Sequence, residues 1–237
     1  MARALTGPPR PPGTLRIVDD VAPAFADTVI DAFDHRPGPR FALVLSGGPT
    51  ARRCYERLAE VAADAVDWSL VDVFMIDERC VAPDDPDANQ QLVREALLER
   101  VPPVGSFWPM SCADGPEAYE RVVERVAAFD LVHLGLGADG HVASLFPDDP
   151  GLEAPPGRLV VRSADPHDRN PHERMSLTLH ALARARLVVF TVSGESKADA
   201  FAAVSAGHEL PATRVRAGQI IWLVDHAAAR LVEQARR

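Results

Sequence analysis

What this chain has little of narrows its reading before any motif is considered. Its 237 residues include three cysteines, Cys54, Cys80 and Cys112, far apart and odd in number. That pattern suggests a reducing cytoplasm with no disulfide framework and no C-x-x-C zinc site. None of the eight histidines falls in a metal-ligand spacing such as H-E-x-x-H. No run approaches the roughly 18 apolar residues of a membrane-spanning helix. The N-terminal MARALTGPPRPPGTL is too proline-rich for a secretory signal and reads as a flexible leader over residues 1–14. Positive charge is also short: 25 Lys and Arg stand against 34 Asp and Glu, a net charge of -9. This argues against nucleic acid and anionic membranes as partners. It leaves room for a small anionic substrate, because a few local cations can hold a phosphate on an acidic protein.

What remains is an ordinary globular composition, 47% apolar and 25% charged. The length suits a single α/β domain over residues 15–237. Buried-strand patterns occur at Phe41–Leu45, Leu70–Ile76, Leu131–Leu134, Leu159–Arg162, Leu187–Val192 and Ile220–Val224. Helical patterns fall between them. One carries Ala51, Cys54, Tyr55, Leu58 and Ala62 on a single face, and others span Asp87–Arg100, Pro116–Ala128, Glu195–Ser205 and Ala227–Arg236. Repeated strand–loop–helix units predict a mostly parallel sheet covered on both faces. In such sheets ligands sit beyond the carboxyl ends of the strands. The unusual residues fall there: Ser46–Gly48, Asp77–Arg79, Gly135–His141 and Gly194–Lys197.

The stretch GLGADGHVASLFP, Gly135 to Pro147, allows two readings. Its G-x-G-x-x-G spacing matches a dinucleotide fingerprint, but that fingerprint opens a long helix, and Pro147 interrupts any helix here within two turns. The other reading is chemical. The glycines permit close substrate approach, Asp139 can orient an imidazole, and His141 can act as a base near neutral pH. Taken alone, His141 reads more readily as a residue that caps or packs a turn. Trp68, Trp108 and Trp222 read as core or sheet-edge packing, Cys80 as a small buried filler, and Asp148-Asp149 as a solvated loop.

Several motifs occur together and in order: Ser46-Gly47-Gly48-Pro49-Thr50, Asp77-Glu78-Arg79, Asn89, the Asp139-Gly140-His141-x-Ala143-Ser144-Leu145-Phe146-Pro147 run, Arg174-Met175-Ser176-Leu177 and Gly194-x-x-Lys197. In this combination the chain resembles the 6-phosphogluconolactonase family, from about Ile17 to the C-terminal helix. The glucosamine-6-phosphate deaminase/isomerases of the same superfamily are similar at the SGG and D-G-H elements, but typically carry Asp-Glu-Tyr where this chain has Asp77-Glu78-Arg79. The resemblance implies a Rossmann-like three-layer αβα sandwich that binds no dinucleotide. It implies a cytoplasmic hydrolase with no cofactor and no metal, acting on 6-phospho-D-glucono-1,5-lactone as a monomer or small homo-oligomer. A deaminase/isomerase-like enzyme and a non-catalytic sugar-phosphate-binding protein are the alternatives.

On that resemblance His141 is the water-activating base, held by Asp139. Arg79 stabilises the oxyanion or the phosphate; its bland alternative is a structural ion pair, with Asp77 and Glu78 as supporting partners. Ser46, Gly47, Gly48 and Thr50 form a phosphate loop at a helix N-terminus, with Arg174 and Lys197 as further cations. Ser144 is structural or contacts substrate. The family usually reads S-G-G-S-T-P, whereas this chain has Pro49 and Ala51. Proline removes a backbone donor and a hydroxyl, so weaker phosphate affinity is expected.

Overall fold

A computed structural model describes residues 10–235 of the chain. Its centre is a sheet of seven strands: β1 (Thr14–Val18), β2 (Phe41–Leu45), β3 (Val71–Met75), β5 (Ser106–Trp108), β6 (Phe129–Leu134), β9 (Ala185–Val192) and β10 (Gln219–Asp225). The spatial order is β1-β10-β9-β6-β2-β3-β5, and every pairing is parallel. Helices flank this sheet, as the alternating pattern requires. They are α1 (Val21–Asp34), α2 (Pro49–Ala62), α3 (Asn89–Val93), α4 (Pro116–Val123), α5 (Leu179–Leu182), α6 (Ala198–Ser205), α7 (Pro211–Arg214) and α8 (His226–Gln234). All five residues of β2 are buried, which explains its uninterrupted apolar sequence. The α2 face expected from sequence, Ala51, Cys54, Tyr55, Leu58 and Ala62, is buried as a unit. Trp222 is fully buried on β10, stacked on Phe190 of β9 with ring centroids 3.8 Å apart.

The strand order places the site. β2 runs into α2 and on to β3 on one side, while the chain leaving β6 comes to β9 on the other. Since β2 and β6 are neighbours, the loops that follow them diverge and leave a crevice between them. Ser46–Gly48 and Gly135–His141 border that crevice.

Three sequence expectations are corrected. Asp77–Arg79 is not a loop at a strand end. It forms β4, which pairs antiparallel with β8 (Arg174–Leu177), itself paired with β7 (Val160–Ser163), in a second sheet. The Leu159–Arg162 pattern corresponds to β7, whereas β4 and β8 are too short and too mixed in character to show periodicity, so only the pairing reveals them. Cys80 is not a filler: it forms a disulfide with Cys112 across a sequence separation of 32. The chain leaves β4, traverses α3 and β5, and returns to it, a closure that cysteine spacing cannot show. With it, cysteine usage no longer argues for a reducing compartment. Asp149 is buried rather than solvated. It accepts the Gly151 N–H at 2.8 Å and the Ser163 hydroxyl at 2.5 Å.

Most of the leader expected over residues 1–14 lies outside the described residues. Thr14 begins β1, and the Pro12 carbonyl accepts the Trp222 indole N–H at 2.8 Å. Among the described residues no helix is long and apolar enough to cross a membrane.

Candidate active site

A cleft of about 300 Å³ opens at the carboxyl ends of β2, β6 and β9. Its walls bring together Ser46, Gly47, Gly48, Thr50, Asp77, Arg79, His141, Arg174 and Lys197. Asp139 stands behind His141, and Glu78 faces away.

The loop after β6 builds the Asp139–His141 pair. Gly140 takes a positive φ of 85°, and its N–H donates to Gly137 O at 3.0 Å. The turn brings Asp139 Oδ1 within 2.6 Å of His141 Nδ1. Gly137 cannot carry a side chain, because a Cβ there would lie 2.1 Å from His141 Nδ1. Asp139 is pulled down to about 2: burial opposes ionisation, but the hydrogen bond and charge of His141, together with Arg169, outweigh it. An ionised Asp139 only accepts hydrogen bonds, so His141 Nδ1 carries a proton, and in the neutral ring the lone pair is on Nε2. Phe146 packs against the imidazole with centroids 4.8 Å apart, and the Arg174 guanidinium lies 5.6 Å from the same ring. The Leu-Phe-Pro part of the motif thus supports both the histidine and an arginine.

The other wall of the cleft begins at the Ser46–Thr50 loop. Gly48 caps α2 with φ 101°, and Pro49 occupies the first helical position. Gly47 lies against Asn89, whose Oδ1 would be 1.7 Å from a Cβ. Beneath the loop, Tyr55 Oη accepts the Ser46 N–H at 2.9 Å. His133, fully buried, bridges Tyr55 Oη and Thr191 Oγ1, each at 2.8 Å. Burial pushes His133 down to about 3, so it is a neutral brace.

Arg79 and Arg174 stand directly opposite each other on β4 and β8. Like charges in this relation oppose pairing unless an anion lies between them. Among the described residues neither arginine forms an ion pair, nor does Lys197. The expected ion pair of Arg79 with Asp77 or Glu78 is absent among the described residues. Arg79 instead donates to the Asp87 carbonyl at 2.6 Å. Glu78 caps α3, accepting the N–H groups of Arg79, Asn89 and Gln90 at 2.7–2.8 Å. Asp77 accepts from the Ser144 hydroxyl at 2.6 Å, which makes Ser144 a tie between β4 and the histidine turn. Burial lowers the Arg174 and Lys197 pKa values, the latter opposed by Asp139. Ser46 Oγ, Arg79 Nε, Asn89 Oδ1 and Arg174 Nε are buried with no protein hydrogen-bond partner among the described residues. Four unmatched polar atoms on residues lining or backing one cleft leave donors and acceptors there for a bound molecule or water.

Sequence reasoning gave no role to Asn89, His133, Tyr55, Phe146 or Arg169. Asn89 and Phe146 had a motif position, whereas a lone His133 or Arg169 carries no local signal.

Known proteins can now be set beside this geometry. The family model described as glucosamine-6-phosphate isomerases/6-phosphogluconolactonase matches residues 15–222. The 6-phosphogluconolactonase of Synechocystis sp. is 37% identical over 205 residues, 78% of this chain and 82% of that protein. The GDH/6PGL endoplasmic bifunctional protein of Homo sapiens is 37% identical over 210 residues, 80% of this chain, which spans only 26% of that protein. The crystal structure of 6-phosphogluconolactonase from Leishmania guyanensis superposes with a TM-score of 0.79 at 25% identity, covering 92% of this chain and 97% of that one. With a family match of this extent, the chain belongs to the glucosamine-6-phosphate isomerase/6-phosphogluconolactonase family.

Proposed function

We propose that this chain hydrolyses 6-phospho-D-glucono-1,5-lactone to 6-phosphogluconate. One observation carries the reading: a carboxylate-backed imidazole faces the same cleft as three cations, Arg79, Arg174 and Lys197, none ion-paired among the described residues. A phosphorylated lactone presents what such a cleft fits, a dianion at one end and an electrophilic carbonyl at the other.

In this mechanism the phosphate lies on the Ser46–Thr50 loop at the N-terminus of α2, where helix N–H groups and the helix dipole favour an anion. Arg174 and Lys197 add charge. His141 Nε2 takes a proton from water as the water oxygen bonds to the lactone carbonyl carbon. Arg79 stabilises the oxyanion that forms. The intermediate collapses with cleavage of the carbon–ring oxygen bond, and the imidazolium returns its proton to the leaving alkoxide. Asp139 holds the ring and stabilises its charged form.

The test is hydrolysis of freshly made lactone, coupled to 6-phosphogluconate dehydrogenase, with His141→Ala at equal concentration as the control for spontaneous opening. The variant is expected to lose about 10²–10⁴-fold in kcat/KM. Equal rates for the two proteins would overturn the role of His141. Ammonia release from glucosamine 6-phosphate, with no lactone hydrolysis, would overturn the reaction class.

A further inference from the structure

Between β7 and β8 the chain forms a loop over residues 164–173 organised around one carboxylate. The Asp165 side chain is fully buried. It accepts the His167 N–H at 3.0 Å, Asn170 Nδ2 at 2.8 Å, and the Arg169 guanidinium through Nε at 3.3 Å and Nη2 at 3.1 Å. Arg169 is thereby aimed, and its Nη2 also meets Asp139 Oδ2 at 2.9 Å. The other oxygen of that carboxylate, Oδ1, holds His141 Nδ1. Asp139 is therefore shared between an imidazole and a guanidinium, one oxygen each. Asn170 lines the cleft, whereas Arg169 does not.

We infer that Arg169, held by Asp165, is a positioning residue for the Asp139–His141 pair, an inference that rests on the lactonase reading above. Two effects follow from the geometry. The guanidinium fixes the plane of the Asp139 carboxylate, and so the direction of the imidazole. It also draws on the Asp139 charge, so that the carboxylate stabilises an imidazolium less than it would alone. The charges of Asp165 and Asp148 also act on Arg169, that of Asp139 acts on Lys197, and that of Asp165 on Arg174. Arg169 is the one cation among these that touches Asp139 directly. Lysine cannot reproduce the arrangement fully, because a single ammonium does not span two carboxylates as a planar fork does.

The experiment compares the full chain with Arg169→Gln, Arg169→Lys and Asp165→Asn. In lactone hydrolysis, Arg169→Gln is expected to lose roughly tenfold to a hundredfold in kcat, with KM changed less than about threefold. The acid limb of its kcat/KM profile should move to higher pH by roughly half a unit to one unit, since a cation near the pair has gone. Arg169→Lys should return the limb toward wild type while restoring only part of kcat, and Asp165→Asn should behave as a weaker Arg169→Gln. The NMR titration of the His141 ring, assigned by its loss in His141→Ala, reads the same coupling without substrate and should move upward in Arg169→Gln. That measurement separates the two ideas. A protein inactive on the lactone whose His141 titration still responds to Arg169 defeats the lactonase reading alone. An unmoved titration, or a loss confined to KM, overturns the positioning role.

Discussion

At position 49 the backbone gives up a donor where the proposed phosphate would sit. Pro49 is the first residue of α2, a place where its ring is tolerated because that N–H has no partner within the helix. The helix is therefore unharmed, and the cost falls on the ligand. Pro49→Ser adds an N–H and a hydroxyl at the loop, and is expected to lower KM for the lactone severalfold with kcat unchanged; an unaltered KM would show that the proline costs nothing. Glu78 makes a different kind of prediction. Burial pushes its carboxyl up to about 7, although three backbone N–H groups favour the charge. Its proton is thus held more tightly in the folded than in the unfolded chain between pH 4.5 and about 7. The stability it contributes is whole below that window and is lost as pH rises through it. Thermal melts from pH 4.5 to 8 should show the wild type losing ground relative to Glu78→Gln; parallel curves would refute this. At this scale the Asp139–His141 turn and the SGG loop were legible as motifs, because each is contained within a few residues. Glu78 was misread as a partner of the Arg79 side chain, since sequence order cannot say that a side chain turns toward a helix 11 residues away.

Among elements, the informative ones are the short strands. β4 carries Arg79 and β8 carries Arg174, and their antiparallel register sets the two guanidinium groups side by side. The disulfide from Cys80 to Cys112 fastens the end of β4 to the segment after β5. Closing a chain loop of this length removes unfolded-state entropy worth about 3–4 kcal/mol. Denaturant unfolding with a dithiol reductant should show a lower midpoint for the wild type, whereas Cys80→Ser/Cys112→Ser should ignore the reductant. Coincident midpoints for reduced and oxidised wild type would mean the bridge contributes no stability. The long elements, β2, β9, β10 and α2, were visible in the sequence because burial imposes a pattern over many residues. In the second sheet β7 was visible at Leu159–Arg162, whereas β4 and β8 mix charged and apolar residues over three and four positions, too few for a period to register.

For the molecule as a whole, the core lies along the central strands, and Trp222 is its largest anchor on β10. Removing it leaves a cavity beside Phe190 and an unpaired Pro12 carbonyl. Trp222→Ala should cost about 3–5 kcal/mol in unfolding free energy by denaturant melts; a loss below about 1 kcal/mol would show that the surrounding strands collapse into the space. The sequence by itself determined the parallel α/β class, the gathering of the motif residues at the strand ends that border the cleft, and the local Asp139–His141 turn. Each depends on interactions within a strand, a helix or a single loop, and these leave periodic or motif signals in the order of residues. Only the tertiary structure decided that Arg79 faces Arg174, that Cys80 meets Cys112, that His133 braces the Ser46 loop, and that Arg169 grips the far side of Asp139. Those contacts join segments separated by about 30 residues or more, and the chain's path through the sheet, rather than local spacing, sets which of them can touch.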